Sequence, residues 1–306
     1  MAGARTRSDM QPPLRRIDGG TDAVVEQCIA RLAREATLEI NVHDLKHLSV
    51  AAALLPGGTK IFVTFLPGQS WHETEIACRT LAECGFVAVP HIPVRLFESA
   101  AMLEDVFERL IRPDVADEVL LISGDYASAQ GPYRCVEDAL GTGIMARFPL
   151  KRICFAGHPE GHPTVALDEI RSAERTKVLA AISAGLEVSL VTQFFFEAEP
   201  FLQWTNQLRR AGVQARIVAG LAGPARLSTL LKLALRCGVG PSIRALGARP
   251  TAFTKLLGDH APQDILRDLA EARSTDAARF DGLHVFCFGG FIRTCEWLHR
   301  IAEGRF

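Results

Sequence analysis

Polar residues that can move protons or bind a ligand recur along the chain, at or near the ends of β-branched runs. In chain order they are Glu39, Thr64, His91, Asp125, the His158–Pro163 segment and Gln193, and the seventh run ends at Gly220. Carboxylates, histidines, a hydroxyl and an amide in one place would support acid–base chemistry and ligand binding. Any one of them alone is more typical of a cap or a turn. The functional interpretation therefore depends on whether the fold brings them together.

Short β-branched runs alternate with longer helical patterns over most of the chain. The predicted strands are Thr37–Val42, Lys60–Phe65, Phe86–His91, Glu118–Ser123, Lys151–Ala156, Glu187–Gln193, Gln214–Gly220 and Leu283–Phe288. The helical patterns that lie between or after them are Trp71–Cys84, Phe97–Leu110, Ala166–Ala184, Pro200–Ala211 and Phe291–Ala302. This alternation indicates parallel strands joined by crossovers. Eight such units predict a closed α/β fold, the (β/α)8 TIM barrel, whose active site lies at the carboxyl ends of its strands.

An open doubly wound sheet is the alternative fold. Such a sheet usually has a glycine-rich turn after its first strand, and residues 39–46 contain no glycine. Between strands 7 and 8 the chain has three further helical patterns, Ala225–Cys237, Pro241–Leu257 and Pro262–Arg273. Extra helices on the barrel are the simplest explanation, and a separate small domain is the alternative.

Composition restricts the class of protein. Of the 306 residues, 48% are hydrophobic and 23% are charged, which excludes a disordered, fibrous or disulfide-scaffold protein. The 34 basic and 35 acidic residues give a net charge of −1, so we expect no nucleic-acid partner. No apolar run approaches the roughly 20 residues of a membrane span, so we expect a cytoplasmic protein without a membrane partner. Composition leaves open whether the protein is a monomer or a homo-oligomer.

Residues 1–20 are predicted to form a flexible basic tail, because they carry four arginines and lack the apolar segment of a secretory signal. A transit peptide is the weaker alternative, since Asp9 and Asp18 are unfavourable for it. Residues 21–306 then form a single barrel domain that begins with a helix. The eight cysteines contain no Cys-x-x-Cys pair, so we expect reduced, buried thiols and no metal site.

The motifs at the predicted strand ends resemble those of the methylenetetrahydrofolate reductases, a family of flavin-dependent barrel enzymes. Residues 190–197, Leu-Val-Thr-Gln-Phe-Phe-Phe-Glu, resemble the family's Thr-Gln-Phe-Phe-Phe-Asp. Residues 158–163, His-Pro-Glu-Gly-His-Pro, resemble its Tyr-Pro-Glu-x-His-Pro. Weaker similarities follow in the family's order at Leu38–Glu39, Val63–Phe65, Val89–His91 and Ser123–Asp125. The resemblance extends over about residues 37 to 290.

This resemblance implies an oxidoreductase of one-carbon metabolism and methionine biosynthesis that interconverts 5,10-methylenetetrahydrofolate and 5-methyltetrahydrofolate. It implies FAD as cofactor, NADH or NADPH as electron donor and tetrahydrofolate derivatives as partners. In the family, hydride passes through FAD N5, while the protein supplies positioning and electrostatics. Glu39 is then the general acid that protonates the departing nitrogen, which requires a carboxyl group that holds a proton near neutral pH. An ion pair with Lys46 or His47 is the alternative role for Glu39.

The resemblance also implies roles for other residues. Asp125, as a second catalytic residue, lies beside the flavin pyrimidine and the pterin, and Gln193 is shared by the substrate and the nicotinamide. The implied cofactor-binding residues are Thr64, His91, Gly124, Asp125, His158, His162, Arg171 and Lys177. The implied substrate-binding residues are Gln193, Phe195, Leu221 and Arg293. For each of these residues the alternative role is structural: core packing, turn formation or solvated charge. The histidines and acids together could instead form a divalent-metal site, which the loop-like pattern of 158–163 disfavours.

Three segments depart from the family pattern. Residues 40–43 lack its aromatic pair and prolines, residues 220–224 read Gly-Leu-Ala-Gly-Pro, and residues 287–289 read Cys-Phe-Gly where the family has Thr-Leu-Asn. By resemblance these segments border the pterin, the nicotinamide and the folate tail, so the nucleotide and the direction of reaction stay open. Two alternative functions remain: physiological 5-methyltetrahydrofolate oxidation in methoxy-group catabolism, and a non-redox folate-binding barrel that has lost flavin.

Overall fold

The barrel strands form one closed ring of parallel neighbours. The computed structural model describes residues 19–237, 239 and 259–306. Within them the barrel strands are β1 (Thr37–Ile40), β2 (Lys60–Val63), β3 (Val87–Pro93), β4 (Glu118–Ile122), β5 (Arg152–Gly157), β6 (Glu187–Phe194), β7 (Arg216–Ala222) and β10 (Gly282–Phe286). The strands follow one another around the ring, and β10 pairs with both β7 and β1. The predicted (β/α)8 barrel is confirmed, and every strand end lies within two residues of its predicted position.

Helices connect the strands and pack against them. They are α1 (Gly19–Arg34), α2 (Leu48–Ala52), α3 (Trp71–Glu83), α4 (Ala100–Leu110), α5 (Val136–Leu140), α6 (Leu167–Ser183), α7 (Ala198–Arg210), α8 (Leu227–Cys237), α9 (Gln263–Ser274) and α10 (Phe291–Ala302). The α4 helix begins three residues later than predicted, because the Ser99 hydroxyl accepts a hydrogen bond from the Met102 amide and caps the first turn. The β4–β5 connection contains only the short α5 and the 3-10 turn Ile144–Arg147 where a full crossover helix was expected from the fold.

The N-terminal helix α1 begins at Gly19, inside the predicted tail, and packs against α9 and α10. The rest of that tail, and the predicted helix Pro241–Leu257, lie outside the described residues. Between β7 and β10 the structure contains α8 and α9 as expected. It also contains an antiparallel pair of two-residue strands, β8 (Ala225–Arg226) and β9 (Asp259–His260), which the sequence did not indicate.

Alternation along the strands separates the apolar residues inside the barrel from those that face the helices, and a third apolar cluster packs Phe194 and Ala222 against α8. The interior core takes one residue from each of β2 to β7: Phe62, Val89, Leu120, Cys154, Val191 and Val218. These residues pack together inside the barrel, while their neighbours in each strand join the larger core between the barrel and the helices. In each strand, the residues two positions before and after the interior residue lie on the same face, which points into the barrel.

Charged residues close the amino-terminal end of the barrel interior. Glu118, two residues before Leu120, is 3% exposed. Its carboxylate accepts hydrogen bonds from Lys60 Nζ at 2.5 Å and from Arg152 Nη1 at 2.6 Å. Arg152 also pairs with Glu187. This ionic layer leaves the carboxyl-terminal end as the place for a ligand.

We expect Glu118→Gln to lower the free energy of unfolding by about 3 kcal/mol, because it leaves two partly buried cations without their shared counter-charge. Equilibrium urea unfolding followed by circular dichroism measures this loss. Glu104→Gln is the control, since the ion pair of Glu104 with Arg147 is more exposed, with side chains 33% and 58% accessible. The control loss is expected to stay below about 1 kcal/mol, and equal losses would contradict a role for the ionic layer in stability.

Candidate functional site

Glu39, His91 and His284 meet at the carboxyl-terminal side of the interior layer, around the ring of Phe62. The His91 and His284 rings lie edge-on to Phe62, with centroids 6.0 Å and 4.7 Å from it. Nε2 of His284 lies 3.7 Å from Oε2 of Glu39. We call these three residues the acid–histidine cluster. It joins β1, β3 and β10, and so it exists only in the closed barrel.

The Glu39 side chain is 18% exposed and faces Nε2 of His284. Among the ion pairs of the described residues, none joins Glu39 to Lys46 or His47.

The departure from the family pattern after β1 has a local explanation. Asn41 accepts a hydrogen bond from the His43 amide at 2.9 Å, and its own amide donates to Asp44 at 3.1 Å, which starts a 3-10 turn.

His91 is a buried histidine with an unused nitrogen. It is 8% exposed, and its Nε2 has no hydrogen-bond partner among the described residues. Burial lowers the pKa of His91 to about 4; the Glu39 carboxylate opposes this shift and His284 reinforces it. At pH 7 the ring is therefore neutral, and Nε2 is free to accept or donate one hydrogen bond to a ligand.

The sequence did not single out His284, although the alternation of its strand gave a signal. His284 lies two residues before Phe286, whose ring is 4.9 Å away and edge-on. A period of two therefore places His284 on the interior face of β10. His284 lies in the middle of its strand, whereas the other residues of predicted chemistry lie at or near strand ends.

A second cluster holds the loop after β5. Glu174 on α6 is 1% exposed and accepts hydrogen bonds from the His158 amide at 2.9 Å, Arg171 Nη1 at 3.0 Å and Trp204 Nε1 at 3.0 Å. The Trp204 ring packs against Gly157, where an added Cβ would lie 2.8 Å from the ring. Glu174 therefore ties β5, α6 and α7 together. Sequence reasoning missed both Glu174 and Trp204.

Arg171 and Lys177, the two predicted diphosphate-binding cations, lie beside this cluster. Arg171 donates to the carbonyl oxygens of His158 at 2.9 Å and Pro159 at 3.0 Å, so it supports the loop directly. Lys177 is 9% exposed, and its ammonium lies 5.7 Å from the centre of the Phe155 ring. Burial lowers the pKa of Lys177. Among the described residues no carboxylate lies within ion-pair distance of it.

His158 and His162 are neighbours at the start and end of the same loop. Their rings meet edge-to-face at 5.7 Å. Burial lowers the pKa of His158 to about 3, and the charges of Lys177, His162 and Arg171 add to the shift. His162 is exposed, and its Nδ1 accepts a hydrogen bond from the Thr164 amide at 3.3 Å. The loop thus presents a neutral imidazole beside an exposed one.

The loop after β4 carries Gly124 and Asp125. Gly124 has a φ of +91°, and an added Cβ would lie 2.9 Å from both Pro93 and Tyr126, so the position requires glycine. The Arg95 guanidinium donates to the Tyr126 carbonyl at 3.0 Å and fixes the loop. Asp125 itself is exposed.

Thr64 follows β2, half-buried, and its amide donates to the Ile40 carbonyl at 2.8 Å. This hydrogen bond extends the β1–β2 pairing to the residue after β2. Thr64 is thereby held at the carboxyl-terminal edge of the barrel, next to the end of the strand that carries Glu39.

Gln193 lies at the end of β6, where the register with β7 shifts after Val191. Its Oε1 accepts from the Phe194 amide at 3.1 Å, which leaves the side-chain NH₂ as donor. Gln193 and His158 line one narrow cleft together with Cys237 at the end of α8. The structure therefore brings the two specific motifs, at β5 and β6, to one cleft.

Of the other predicted substrate-binding residues, Phe195 lines the same cleft as Gln193, whereas Leu221 and Arg293 lie elsewhere. No described contact joins any of the three to the acid–histidine cluster. Phe195 is 2% exposed and stacks on Phe201, with ring centroids 5.0 Å apart. Leu221 is fully buried in the core between barrel and helices. Arg293 on α10 lines a separate groove of about 250 Å³ with Arg300. Ligand contacts of these three residues stay predictions.

The described residues contain neither a metal site nor a membrane-spanning helix. They contain no group of three or more histidine, cysteine or acidic side chains arranged to hold a metal ion. None of the helices they form has the length and apolarity to cross a bilayer. All eight cysteines are unpaired.

We expect Glu174→Gln to speed exchange of the His158 backbone amide by about tenfold or more, because the amide loses a charged acceptor and the loop opens more readily. Hydrogen–deuterium exchange measured on peptides that span the β5 loop tests this. Glu169→Gln, an exposed carboxylate on the same helix, is the matched control and should leave the exchange unchanged. Unchanged exchange in Glu174→Gln would contradict the anchoring role.

Residues 144–240 match the model of a protein family described as "Methylenetetrahydrofolate reductase". This segment runs from the 3-10 turn before β5 past the end of α8 and includes both specific motifs, whereas Glu39, His91 and Asp125 lie outside it. "Methylenetetrahydrofolate reductase (NADH) 1" of Arabidopsis thaliana is 27% identical over 141 residues, which cover 42% of this chain and 24% of the relative. The chain thus spans about a quarter of the length of that relative. The predicted resemblance to the family is confirmed.

Solved structures that are similar to this chain include two of dihydropteroate synthase from Thermus thermophilus. The structure of FolP is 12% identical in sequence to this chain and gives a TM-score of 0.43. The match covers 89% of this chain and 95% of the FolP chain. The structure in complex with 6HMPPP is 13% identical with a TM-score of 0.45, and covers 88% of this chain and 93% of its own.

Proposed function

We propose that this relative of the methylenetetrahydrofolate reductases is a flavin-dependent oxidoreductase that interconverts 5,10-methylenetetrahydrofolate and 5-methyltetrahydrofolate, with Glu39 as general acid. The observation that carries the proposal is the meeting of Glu39 and His91 inside the barrel, where Glu39 also lies 3.7 Å from His284. The resemblance requires Glu39 and His91, distant in sequence, to serve one site. They lie outside the segment that matches the family, so their convergence is independent support.

The residues of the carboxyl-terminal face fit FAD, which when bound supplies the hydride-transfer chemistry. His91 offers a buried Nε2 without a partner among the described residues. Gly124, whose positive φ packs it closely against Pro93 and Tyr126, would contribute its backbone to the cofactor site. Lys177 is a buried cation that feels the charges of Glu137 and Glu174 without forming a described ion pair with either, and a diphosphate would contact it directly. We assign the remaining cofactor contacts to Thr64, Asp125, His158, His162 and Arg171.

The chain's own residues would handle protons and orientation. Glu39 is shielded from water and would protonate the departing nitrogen as the imidazolidine ring of the folate opens. Asp125, an exposed carboxylate, would accept hydrogen bonds from the donors of the pterin. Gln193 would offer its NH₂ group, because its oxygen is already bonded to the backbone.

The folate tail carries carboxylates, and the groove offers them Arg293 and Arg300, although Glu296 also lines it. We assign the tail contact to Arg293, while Phe195 and Leu221 would support the substrate site through packing. The Arabidopsis relative has NADH in its name, which makes NADH the first donor to test.

Anaerobic spectroscopy of the purified protein tests the proposal. We expect flavin absorbance that is bleached by NADH and restored by 5,10-methylenetetrahydrofolate. NADPH and 5-methyltetrahydrofolate are tested in parallel. Bleaching by 5-methyltetrahydrofolate alone would show the oxidative direction. A protein that lacks flavin bands and takes up no added FAD would contradict the redox function and indicate a folate-binding barrel.

We expect Glu39→Gln to retain reduction of the flavin by the nucleotide and to slow folate turnover by about 100-fold or more, because an amide cannot donate the required proton. Stopped-flow measurement of each half-reaction separates the two steps. Glu35→Gln, an exposed carboxylate just before β1, is the control and should leave both steps unchanged. Folate turnover retained by Glu39→Gln would remove Glu39 from the role of general acid.

A further inference from the structure

A groove lies between α10 and the segments that follow β7 and β9. Its volume is about 250 Å³. Pockets for drug-sized ligands begin at roughly 300 Å³, so this groove suits a smaller molecule. The described residues that line it are Pro224, Ala261, Arg293, Glu296, Trp297 and Arg300.

The charged residues of this groove come from one face of α10. Glu296 lies three residues after Arg293 and four before Arg300, a spacing that makes the three side chains neighbours on the helix. A glutamate four residues before an arginine has the favourable order for an ion pair. Among the ion pairs of the described residues, however, none joins Glu296 to either arginine. The groove therefore offers a ligand both a negative and a positive charge.

Trp297 adds a hydrogen-bond donor to the same groove. Its side chain is 1% exposed, and its Nε1 has no hydrogen-bond partner among the described residues. An indole N–H can only donate, and a buried polar group nearly always has a partner. Trp204, the other deeply buried tryptophan, donates its Nε1–H to Glu174 at 3.0 Å. An acceptor atom of a ligand in the groove would satisfy Trp297 in the same way.

We propose that this groove binds a free α-amino acid with an apolar side chain. Its carboxylate accepts hydrogen bonds from Trp297 Nε1 and the Arg300 guanidinium, and its ammonium pairs with Glu296. Its side chain contacts Pro224 and Ala261, the two uncharged residues of the opposite wall. The site uses no residue of the acid–histidine cluster, so it is a second site, separate from the proposed reaction.

The folate tail is the alternative occupant of the groove. The nitrogen of its glutamate is part of an amide, so the tail has no ammonium group to pair with Glu296. Arg293, to which the tail contact is assigned, lies two turns before Arg300, about 10 Å along the helix axis. The groove can therefore distinguish a free amino acid from a folate by the charge on one nitrogen.

Binding is observed on the indole resonances of the intact, ¹⁵N-labelled protein. We expect L-leucine, the probe, to shift the Nε1–H resonance of Trp297 with a dissociation constant of about 1 mM or below. The Trp204 resonance should stay unchanged, because its N–H is already bonded to Glu174. Loss of a signal in Trp297→Phe assigns the resonance. A Trp297 resonance that L-leucine leaves unchanged would overturn the proposal.

Analogues of the probe test which of its groups are recognised. N-acetyl-L-leucine lacks the ammonium and L-leucinamide lacks the carboxylate, so we expect each to bind about tenfold more weakly in isothermal titration calorimetry. Glu296→Gln should weaken L-leucine by about the same factor and leave N-acetyl-L-leucine unchanged. Glu26→Gln, which changes an exposed carboxylate on α1, is the matched control and should leave both affinities unchanged.

Two outcomes of the calorimetry contradict an amino-acid site. Equal affinities for L-leucine and N-acetyl-L-leucine would overturn the proposal, because the ammonium would then not be recognised. Tighter binding of N-acetyl-L-glutamate, which mimics the folate tail, would overturn it as well and leave the groove to the folate. A protein without flavin or folate turnover would contradict the proposed function and leave these binding results intact.

Discussion

The buried carboxylate of Glu174 determines the shape of the carboxyl-terminal face. An ionised group in this position costs free energy unless several donors replace its water, and the His158 amide, Arg171 and Trp204 do so. These donors belong to the loop after β5, to α6 and to α7. Satisfying one carboxylate therefore fixes the orientation of three successive elements and places His158 opposite Gln193. The segment that matches the reductase family encloses all of them.

The barrel interior separates two ionic environments by one apolar layer. Below that layer, Glu118 is neutralised by two cations with short hydrogen bonds. Above it, the acid–histidine cluster contains one acid and two imidazoles and no permanent cation. The lower group leaves one buried donor, Arg152 Nε, without a described partner, but its charges are balanced by ion pairs that stabilise the fold. The upper group has hydrogen-bonding capacity left over at His91 Nε2, which is the property that a ligand site requires.

The sequence predicted the barrel well because its strands are β-branched runs that end in glycine or polar residues, a local signal. It also predicted that Glu39 and His91 would lie close together, because the order of the strands alone places the two residues at the same end of the barrel. Glu174 could not be found in this way. It lies on α6 among charged residues such as Arg171, and only the packing of Trp204 against Gly157 shows that its side of the helix is buried. The β8–β9 pair was missed for a similar reason, because two residues are too few to form a periodic pattern.

The first strand and the first helix both contact the last elements of the chain. One edge of β1 pairs with β10, and α1 packs on α9 and α10. A ribosome releases the chain from its amino end, so the emerging protein carries an open sheet with an unpaired β1 edge until β10 has left the exit tunnel. Contacts of such long sequence separation form slowly, because a loop of most of the chain must close first. During synthesis the open β1 edge is therefore available for pairing with another chain until β10 has been made.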